Sequence, residues 1–118
     1  MGRGSGAGRL SAGSYGGGKG GANRNVSNNP LVNKLVDMLN NASGFVRLTQ
    51  NDKAQQAINI SSSTDVGDSF TFGNTKPIVK IGNNAWDDGT NTPLTSGQVL
   101  QMAIDAVNIG MKVKFKSK

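Results

Sequence analysis

Histidine, cysteine and glutamate are all absent from this chain of 118 residues, so its seven acidic side chains are all aspartates. Structural zinc sites need cysteine or histidine, and the Ser-His and Cys-His nucleophiles need a histidine base. Glutamate, another frequent general acid, is missing as well. We therefore predict a protein that is not an enzyme and that holds neither a metal nor a cofactor.

Long hydrophobic runs are lacking too. No stretch approaches the roughly 18 consecutive apolar residues that indicate a membrane-spanning helix. The N-terminal residues do not contain the apolar core of a signal peptide. We expect a protein with no membrane partner, located in the cytoplasm or associated with a virion.

The formal charge of +6 comes from the two ends of the chain. Residues 1–28 hold four basic residues and no acid, and residues 112–118 hold four lysines and no acid. The segment between them, residues 29–111, has five basic residues and seven aspartates. The body of the protein is nearly neutral, whereas both ends are strongly basic.

Residues 1–28 also contain ten of the 17 glycines and very few apolar side chains. Such a segment cannot bury enough surface to offset its backbone entropy. We therefore predict a disordered, Gly-rich basic arm. It is either an inert solubilising tail or a nucleic-acid-binding arm that contacts phosphates through Arg3, Arg9, Lys19 and Arg24.

Two segments have apolar residues at helical spacing and recognisable ends. The first begins at Asn28 or Asn29, has Pro30 at its first position and ends before Gly44. The second begins at Thr95, where Thr-Ser-Gly-Gln has the pattern of a capping box, and stops at Gly110. Each predicted helix has one apolar face that a sheet or another helix must cover.

Five short segments alternate apolar and polar residues, which predicts strands at residues 45–49, 57–61, 69–73, 78–81 and 112–116. One choice of phase gives an apolar inner face that consists of Val46, Leu48, Ile58, Ile60, Phe70, Phe72, Val79, Ile81, Val113 and Phe115. The opposite face is mostly polar. This pattern is typical of an antiparallel sheet with one solvated side.

Together these elements predict an α+β fold in the order α-β-β-β-β-α-β. Its mainly antiparallel sheet has four to five strands, and two amphipathic helices lie on one face of the sheet. The elements form a single small domain over residues 29–118, which the disordered arm of residues 1–28 precedes. Because the core of so small a domain is modest, pairing through an exposed edge strand would provide a homo-oligomer.

In this phase the polar face of the sheet carries basic residues and no acid, namely Arg47, Lys80, Lys112, Lys114 and Lys116. A positive surface on a nearly neutral body is typical of nucleic-acid-binding proteins. Phe45 lies on the same predicted face and could stack on a base, which favours a single-stranded ligand. The alternative is an ordinary solvated face whose lysines prevent aggregation through an exposed edge.

The segment from Gly82 to Pro93 holds the only tryptophan and many oxygen-bearing side chains. Its candidate binding residues are Asn84, Trp86, Asp87 and Asp88. Their spacing is not that of a calcium-binding loop, so we predict no metal here. Turns formed by the Asn and Asp side chains, with Trp86 packed on the body, are the interpretation we favour. A binding loop is the alternative.

The sequence therefore predicts a small, basic, non-enzymatic nucleic-acid-binding protein that contacts the phosphate backbone with its sheet face and its arm. One alternative is a viral or phage structural or assembly protein with a basic arm. Another is an inhibitor or adaptor that binds an acidic protein surface through the same lysines. Composition and spacing leave all three hypotheses open.

Overall fold

The computed structural model describes residues 29–118, and the predicted arm of residues 1–28 lies outside the described residues. Within residues 29–118 the chain forms three helices and a four-stranded antiparallel sheet, so the predicted α+β fold is confirmed. In chain order the elements are α1 Pro30–Asn40, α2 Gln50–Ser63, β1 Ser69–Phe72, β2 Ile78–Gly82, β3 Ala85–Asp87, α3 Ser96–Asn108 and β4 Val113–Lys116.

The first helix, α1, begins where the sequence predicts. Asn29 occupies the position before it and Pro30 is its first residue, where a missing N–H leaves no hydrogen bond unmade. The side chain of Asn29 does not cap the helix, however, and instead donates to Ser117. On its inner face α1 buries Val32, Leu35 and Leu39.

The last helix, α3, also has the predicted ends. The Thr95 hydroxyl accepts the N–H of Gln98 at 3.2 Å, and Gln98 Oε1 accepts the N–H of Thr95 at 2.8 Å, so the capping box is present. The chain leaves α3 through Gly110, whose φ is +91°. This left-handed conformation lets the N–H of Met111 bond to the carbonyl of Ala106 at 2.9 Å.

The middle helix, α2, contradicts the strand that alternation predicts at residues 57–61. The hydroxyl of Thr49 accepts the N–H of Asp52 at 3.0 Å and so caps the start of the helix. Of the two isoleucines that suggested a strand, Ile60 is buried while Ile58 is 59% exposed on another side of the helix. The strand prediction for these residues is therefore wrong.

The strand predicted at residues 45–49 is wrong as well, because this segment pairs with no strand of the described sheet. It is an irregular connection between α1 and α2. The predicted alternation of its side chains is nevertheless present. Val46 and Leu48 pack against the core, while Phe45 and Arg47 are exposed.

The four strands lie in the order β3-β2-β1-β4, so β1 is central and pairs with both β2 and β4. On the inner face, Phe70 of β1 lies opposite Phe115 of β4, with ring centroids 5.0 Å apart. The Phe70 ring also contacts Trp86, at a centroid distance of 5.4 Å. These rings form the centre of a core to which all three helices contribute.

Strand β2 has the opposite phase to the prediction. Ile78 and Lys80 face the core, each with only 3% of its surface exposed, whereas Ile81 is 50% exposed. The segment is apolar at three of four positions, so alternation did not determine its phase. The predicted phase of β1 and β4 agrees with their burial.

Neither edge of the sheet is open along its whole length. At one edge, Trp86 of β3 and Leu94 exchange two backbone hydrogen bonds of 2.8 Å. At the other edge, Asn40 at the end of α1 binds both backbone groups of Val113, since its Nδ2 donates to the carbonyl at 2.7 Å and its Oδ1 accepts the N–H at 2.9 Å. A homo-oligomer formed by strand pairing at Val113 would have to displace Asn40.

Among the described helices, none combines the length and the apolar character that crossing a membrane requires.

Candidate functional site

Three exposed lysines alternate along residues 112–116, the first directly before β4 and the other two within it. We call them the β4 lysine row, namely Lys112, Lys114 and Lys116. Adjacent lysines of the row are about 6.8 Å apart, because a strand rises about 3.4 Å per residue. Lys114 lies opposite Thr71, and Lys116 lies opposite Ser69. The row therefore borders hydroxyl side chains of the neighbouring strand and not carboxylates.

The outer face of the sheet does carry one acid, contrary to the prediction. Asp87 of β3 lies opposite Val79, which in turn lies opposite Ser69. Three strand spacings separate β3 from β4, or about 14 Å. The face is thus basic along the β4 edge and acidic at the far edge.

Lys80 does not belong to this surface, and the prediction that it shares a face with the other lysines is wrong. Its Nζ donates to the carbonyl of Ser61 at 2.7 Å and to the carbonyl and hydroxyl of Thr64, both at 2.8 Å. These oxygens lie at the C-terminus of α2, where unpaired carbonyls and the helix dipole favour a cation. Lys80 is therefore an internal anchor for α2.

The protonation of Lys80 follows from the same surroundings. Burial lowers the pKa of Lys80, and the carboxylates of Asp65 and Asp68 act in the opposite direction. The Trp86 ring lies 6.0 Å from Nζ, within the range of a cation–π contact. The three acceptors match the three N–H groups of an ammonium ion, so Lys80 is placed as a charged donor and not as a catalytic base.

Two residues of the proposed binding loop have structural contacts instead. Trp86 is fully buried, and its Nε1 donates to the hydroxyl of Ser96 at 2.9 Å. The hydroxyls of Ser96 and Ser61 are 2.7 Å apart. Asn84 Oδ1 accepts the N–H of Ser96 at 2.8 Å and lies 3.2 Å from the Ser61 hydroxyl. This network joins α2, the β2–β3 turn and the start of α3.

The two acids of the same loop form turns, as the favoured interpretation predicts. Asp87 Oδ1 accepts the N–H of Gly89 at 2.9 Å. Asp88 Oδ1 accepts both the hydroxyl of Thr90 at 2.7 Å and its N–H at 3.0 Å. The Thr90 hydroxyl, its N–H and the charge of Lys76 lower the pKa of Asp88. Within residues 29–118, no group of three acidic, histidine or cysteine side chains could hold a metal ion.

The fold brings Asn29, the first described residue, to the C-terminal end of the chain. Asn29, to which the basic segment 1–28 is attached, donates from Nδ2 to the Ser117 hydroxyl at 2.9 Å. Ser117 directly follows the last lysine of the row, and the N–H of Lys118 is held by Asp68 Oδ1 at 3.0 Å. Arg24 precedes Asn29 by five residues in the sequence. The predicted contact residues Arg3, Arg9, Lys19 and Arg24 lie outside the described residues.

Phe45 and Arg47 lie near the opposite end of the β4 lysine row. Asn108, the last residue of α3, accepts the N–H of Val46 on Oδ1 at 2.7 Å and donates from Nδ2 to its carbonyl at 3.2 Å. Val46 and Lys112 line one open depression of about 120 Å³ between the C-termini of α1 and α3. The structure thus brings the segment that carries Phe45 and Arg47 close to Lys112.

Sequence reasoning missed the asparagines that assemble this surface. Asn40 and Asn108 are each the last residue of a helix, and each binds the backbone N–H and carbonyl of one distant residue. An asparagine just before a predicted helix end is the signal that was available. Its partner could not be identified without the fold.

The fold and this surface define a small α+β protein with a basic edge strand and a basic segment attached beside it. Comparison with protein-family models, with curated proteins and with solved structures found no match for the chain.

Proposed function

We propose that the protein binds nucleic acid through the phosphate backbone, with the β4 lysine row and the basic segment 1–28 acting on the same ligand. The observation that carries this proposal is the 2.9 Å hydrogen bond from Asn29 to Ser117. It supports the proposal because it attaches the basic segment beside Lys116 and Lys118. Eight of the 13 basic residues belong to these two ends of the chain.

The alternative interpretation of the lysine row, protection of an open edge, does not apply at Val113. Lysines discourage aggregation where a strand presents unpaired backbone groups. At Val113 those groups are already bound by Asn40, and α1 packs beside β4. A linear series of cations next to hydroxyl side chains instead fits a polymer with regularly repeated anionic charges.

We expect recognition to depend weakly on base sequence. A protein that reads duplex DNA directly places a helix or a two-stranded ribbon in the major groove, with side chains that hydrogen-bond to base edges. Lys34 is the only basic residue of α1, Lys53 the only one of α2, and α3 has none. Phosphate contacts therefore dominate, and affinity should fall with rising salt.

Fluorescence anisotropy with labelled oligonucleotides at several salt concentrations tests the proposal. We expect the double substitution Lys114→Gln and Lys116→Gln to weaken binding about tenfold or more at low salt. It should also reduce the slope of log affinity against log salt by about 1.4 to 1.8, the contribution of two phosphate contacts. The matched control, Lys34→Gln with Lys76→Gln, removes the same charge from exposed positions outside the row.

Three results would contradict the proposal. The first is no binding to single strands or duplexes at low salt. The second is an equal loss in the test and control variants, which would mean that binding depends only on net charge. The third is equally tight binding of an acidic polypeptide such as polyaspartate, which would favour the adaptor hypothesis.

A further inference from the structure

Two exposed apolar residues, Phe45 and Ile109, are chain neighbours of residues that line the depression at Lys112, namely Gly44, Val46 and Gly110. Phe45 and Ile109 are the most exposed large hydrophobic side chains of the described residues, each with 74% of its surface accessible. The segments that carry them are joined, because Asn108, the residue before Ile109, binds the backbone of Val46, the residue after Phe45. The aromatic ring of Phe45 is thus exposed to solvent near one end of the β4 lysine row.

This surface is held in place from both sides. On the Phe45 side, the two hydrogen bonds of Asn108 fix the N–H and carbonyl of Val46, at 2.7 and 3.2 Å. On the Ile109 side, the left-handed turn at Gly110 returns the N–H of Met111 to Ala106 at 2.9 Å. A surface that is ordered before binding loses less conformational entropy when a ligand arrives.

We infer that Phe45 and Ile109 form a seat for one unstacked nucleobase, and that the nucleic acid bound by the lysine row is therefore single-stranded. This inference rests on the proposed function, because phosphates on the lysine row would bring the base to the seat. Of the described residues that line the depression between the C-termini of α1 and α3, only Lys112 is charged. It can contact the phosphate next to the base that stacks on Phe45.

Duplexes fit this arrangement poorly. Bases within a duplex are stacked on one another and expose only their edges, whereas a single strand can place a base face on an aromatic ring. In a β-strand the row from Lys112 to Lys116 spans about 14 Å. At the rise of about 3.4 Å per nucleotide of a duplex strand that length corresponds to roughly four nucleotides, and a more extended single strand covers it with fewer. We therefore expect affinity to increase steeply with oligonucleotide length up to about this size.

The test compares a single-stranded oligonucleotide of about eight thymidines with an abasic strand that has the same number of phosphates. Wild-type protein should bind the intact strand about 5- to 150-fold more tightly, the range that corresponds to one stacked base. Phe45→Ala should abolish this difference and leave the binding of the abasic strand unchanged. Phe45→Tyr, which keeps an aromatic ring, should retain the difference.

Ile58→Ala is the matched control for loss of an exposed apolar side chain, because Ile58 is 59% exposed on α2 and outside this surface. It should retain the preference for the intact strand. Circular dichroism of each variant checks that the fold is intact. As a second test of the seat, Ile109→Ser should also reduce the preference for the intact strand.

The outcomes separate this inference from the proposed function. Equal binding of intact and abasic strands, or of single strands and duplexes, would overturn the base seat while the phosphate-binding proposal remained. Failure of both strands to bind would overturn the proposed function. If Phe45→Ala instead abolished self-association in light scattering and left the intact-strand preference unchanged, the surface would be an interface between copies of this chain.

Discussion

Single side chains of this protein replace backbone partners at the ends of its helices. Lys80 supplies three donors to the C-terminus of α2, where they bind the partly buried carbonyl of Ser61 and the buried carbonyl and hydroxyl of Thr64. This arrangement costs free energy, because the ammonium group of Lys80 is moved from water into a site where only 3% of the residue is exposed. The hydrogen bonds make this cost tolerable, because a buried charge requires compensating acceptors.

Substitution of Lys80→Met tests this interpretation, because it keeps an unbranched side chain only one atom shorter and removes the donors. We expect the free energy of unfolding to fall by about 1–3 kcal/mol, the cost of leaving buried acceptors unpaired. Urea unfolding followed by circular dichroism measures it. Lys76→Met, at an exposed lysine, should change the free energy by less than about 0.5 kcal/mol. An equal decrease in the free energy of unfolding for both substitutions would contradict the interpretation that Lys80 stabilises the C-terminus of α2.

The pH dependence provides a second measurement on the same pair of proteins. Because burial lowers the pKa of Lys80 below its ordinary value of 10.5, the unfolded state binds more protons between the two values. The free energy of unfolding therefore gains a proton-linked part as pH rises from the lowered pKa towards 10.5. This part is absent below the lowered pKa, where only the hydrogen bonds of the protonated side chain contribute. The advantage of wild type over Lys80→Met should grow as pH is raised towards 10.5. A constant difference would contradict the pKa shift.

The elements differ in how far the sequence determines them. Helices α1 and α3 could be predicted because local signals set their ends: a proline at the start of α1, and a capping box and a glycine around α3. Helix α2 is less amphipathic and buries only Ile60 completely. Its start signal, Thr49 three residues before Asp52, is as local as that of α3, but the Ile58 and Ile60 alternation suggested a strand.

The candidate site shows the same division between local and distant causes. The outward direction of Lys114 and Lys116 could be predicted because Val113 and Phe115 alternate with them in a paired strand. The burial of Lys80 could not, since it depends on oxygens from another element. The position of Asn29 beside Ser117 likewise depends on a contact between residues that are 88 apart in the sequence.

At the scale of elements, α1 protects the edge of β4 through Asn40. We expect Asn40→Ala to lower the free energy of unfolding by about 1–3 kcal/mol, because both backbone groups of Val113 lose their partner. The exposed edge should also promote association between chains, which light scattering detects as a concentration-dependent increase in mass. The control Asn41→Ala alters the exposed neighbouring residue and should change neither the free energy of unfolding nor the mass. Unchanged stability and unchanged mass for Asn40→Ala would refute the edge-protection interpretation.

At the scale of the whole molecule, binding and stability should be separable. The core and the hydrogen bonds described above lie within residues 29–118, so deletion of residues 1–27 should change the free energy of unfolding by less than about 0.5 kcal/mol. The same deletion should weaken oligonucleotide binding and reduce its salt dependence, because it removes four cations attached beside the lysine row.

A full-length variant in which Arg3, Arg9, Lys19 and Arg24 are all replaced by glutamine distinguishes charge from chain length. It should bind as weakly as the deletion does. If the deletion leaves affinity and salt dependence unchanged, segment 1–28 takes no part in binding and the proposal is restricted to the lysine row.

The position of Trp86 has a practical consequence for all of these measurements. It is the only tryptophan of the chain, it is fully buried, and it faces the core and not the lysine-bearing side of the sheet. Its indole emission should therefore shift to longer wavelength on denaturation and remain nearly constant when a ligand occupies β4. The protein thus contains an intrinsic optical probe that reports the folded population of each variant during a binding titration, without any added label.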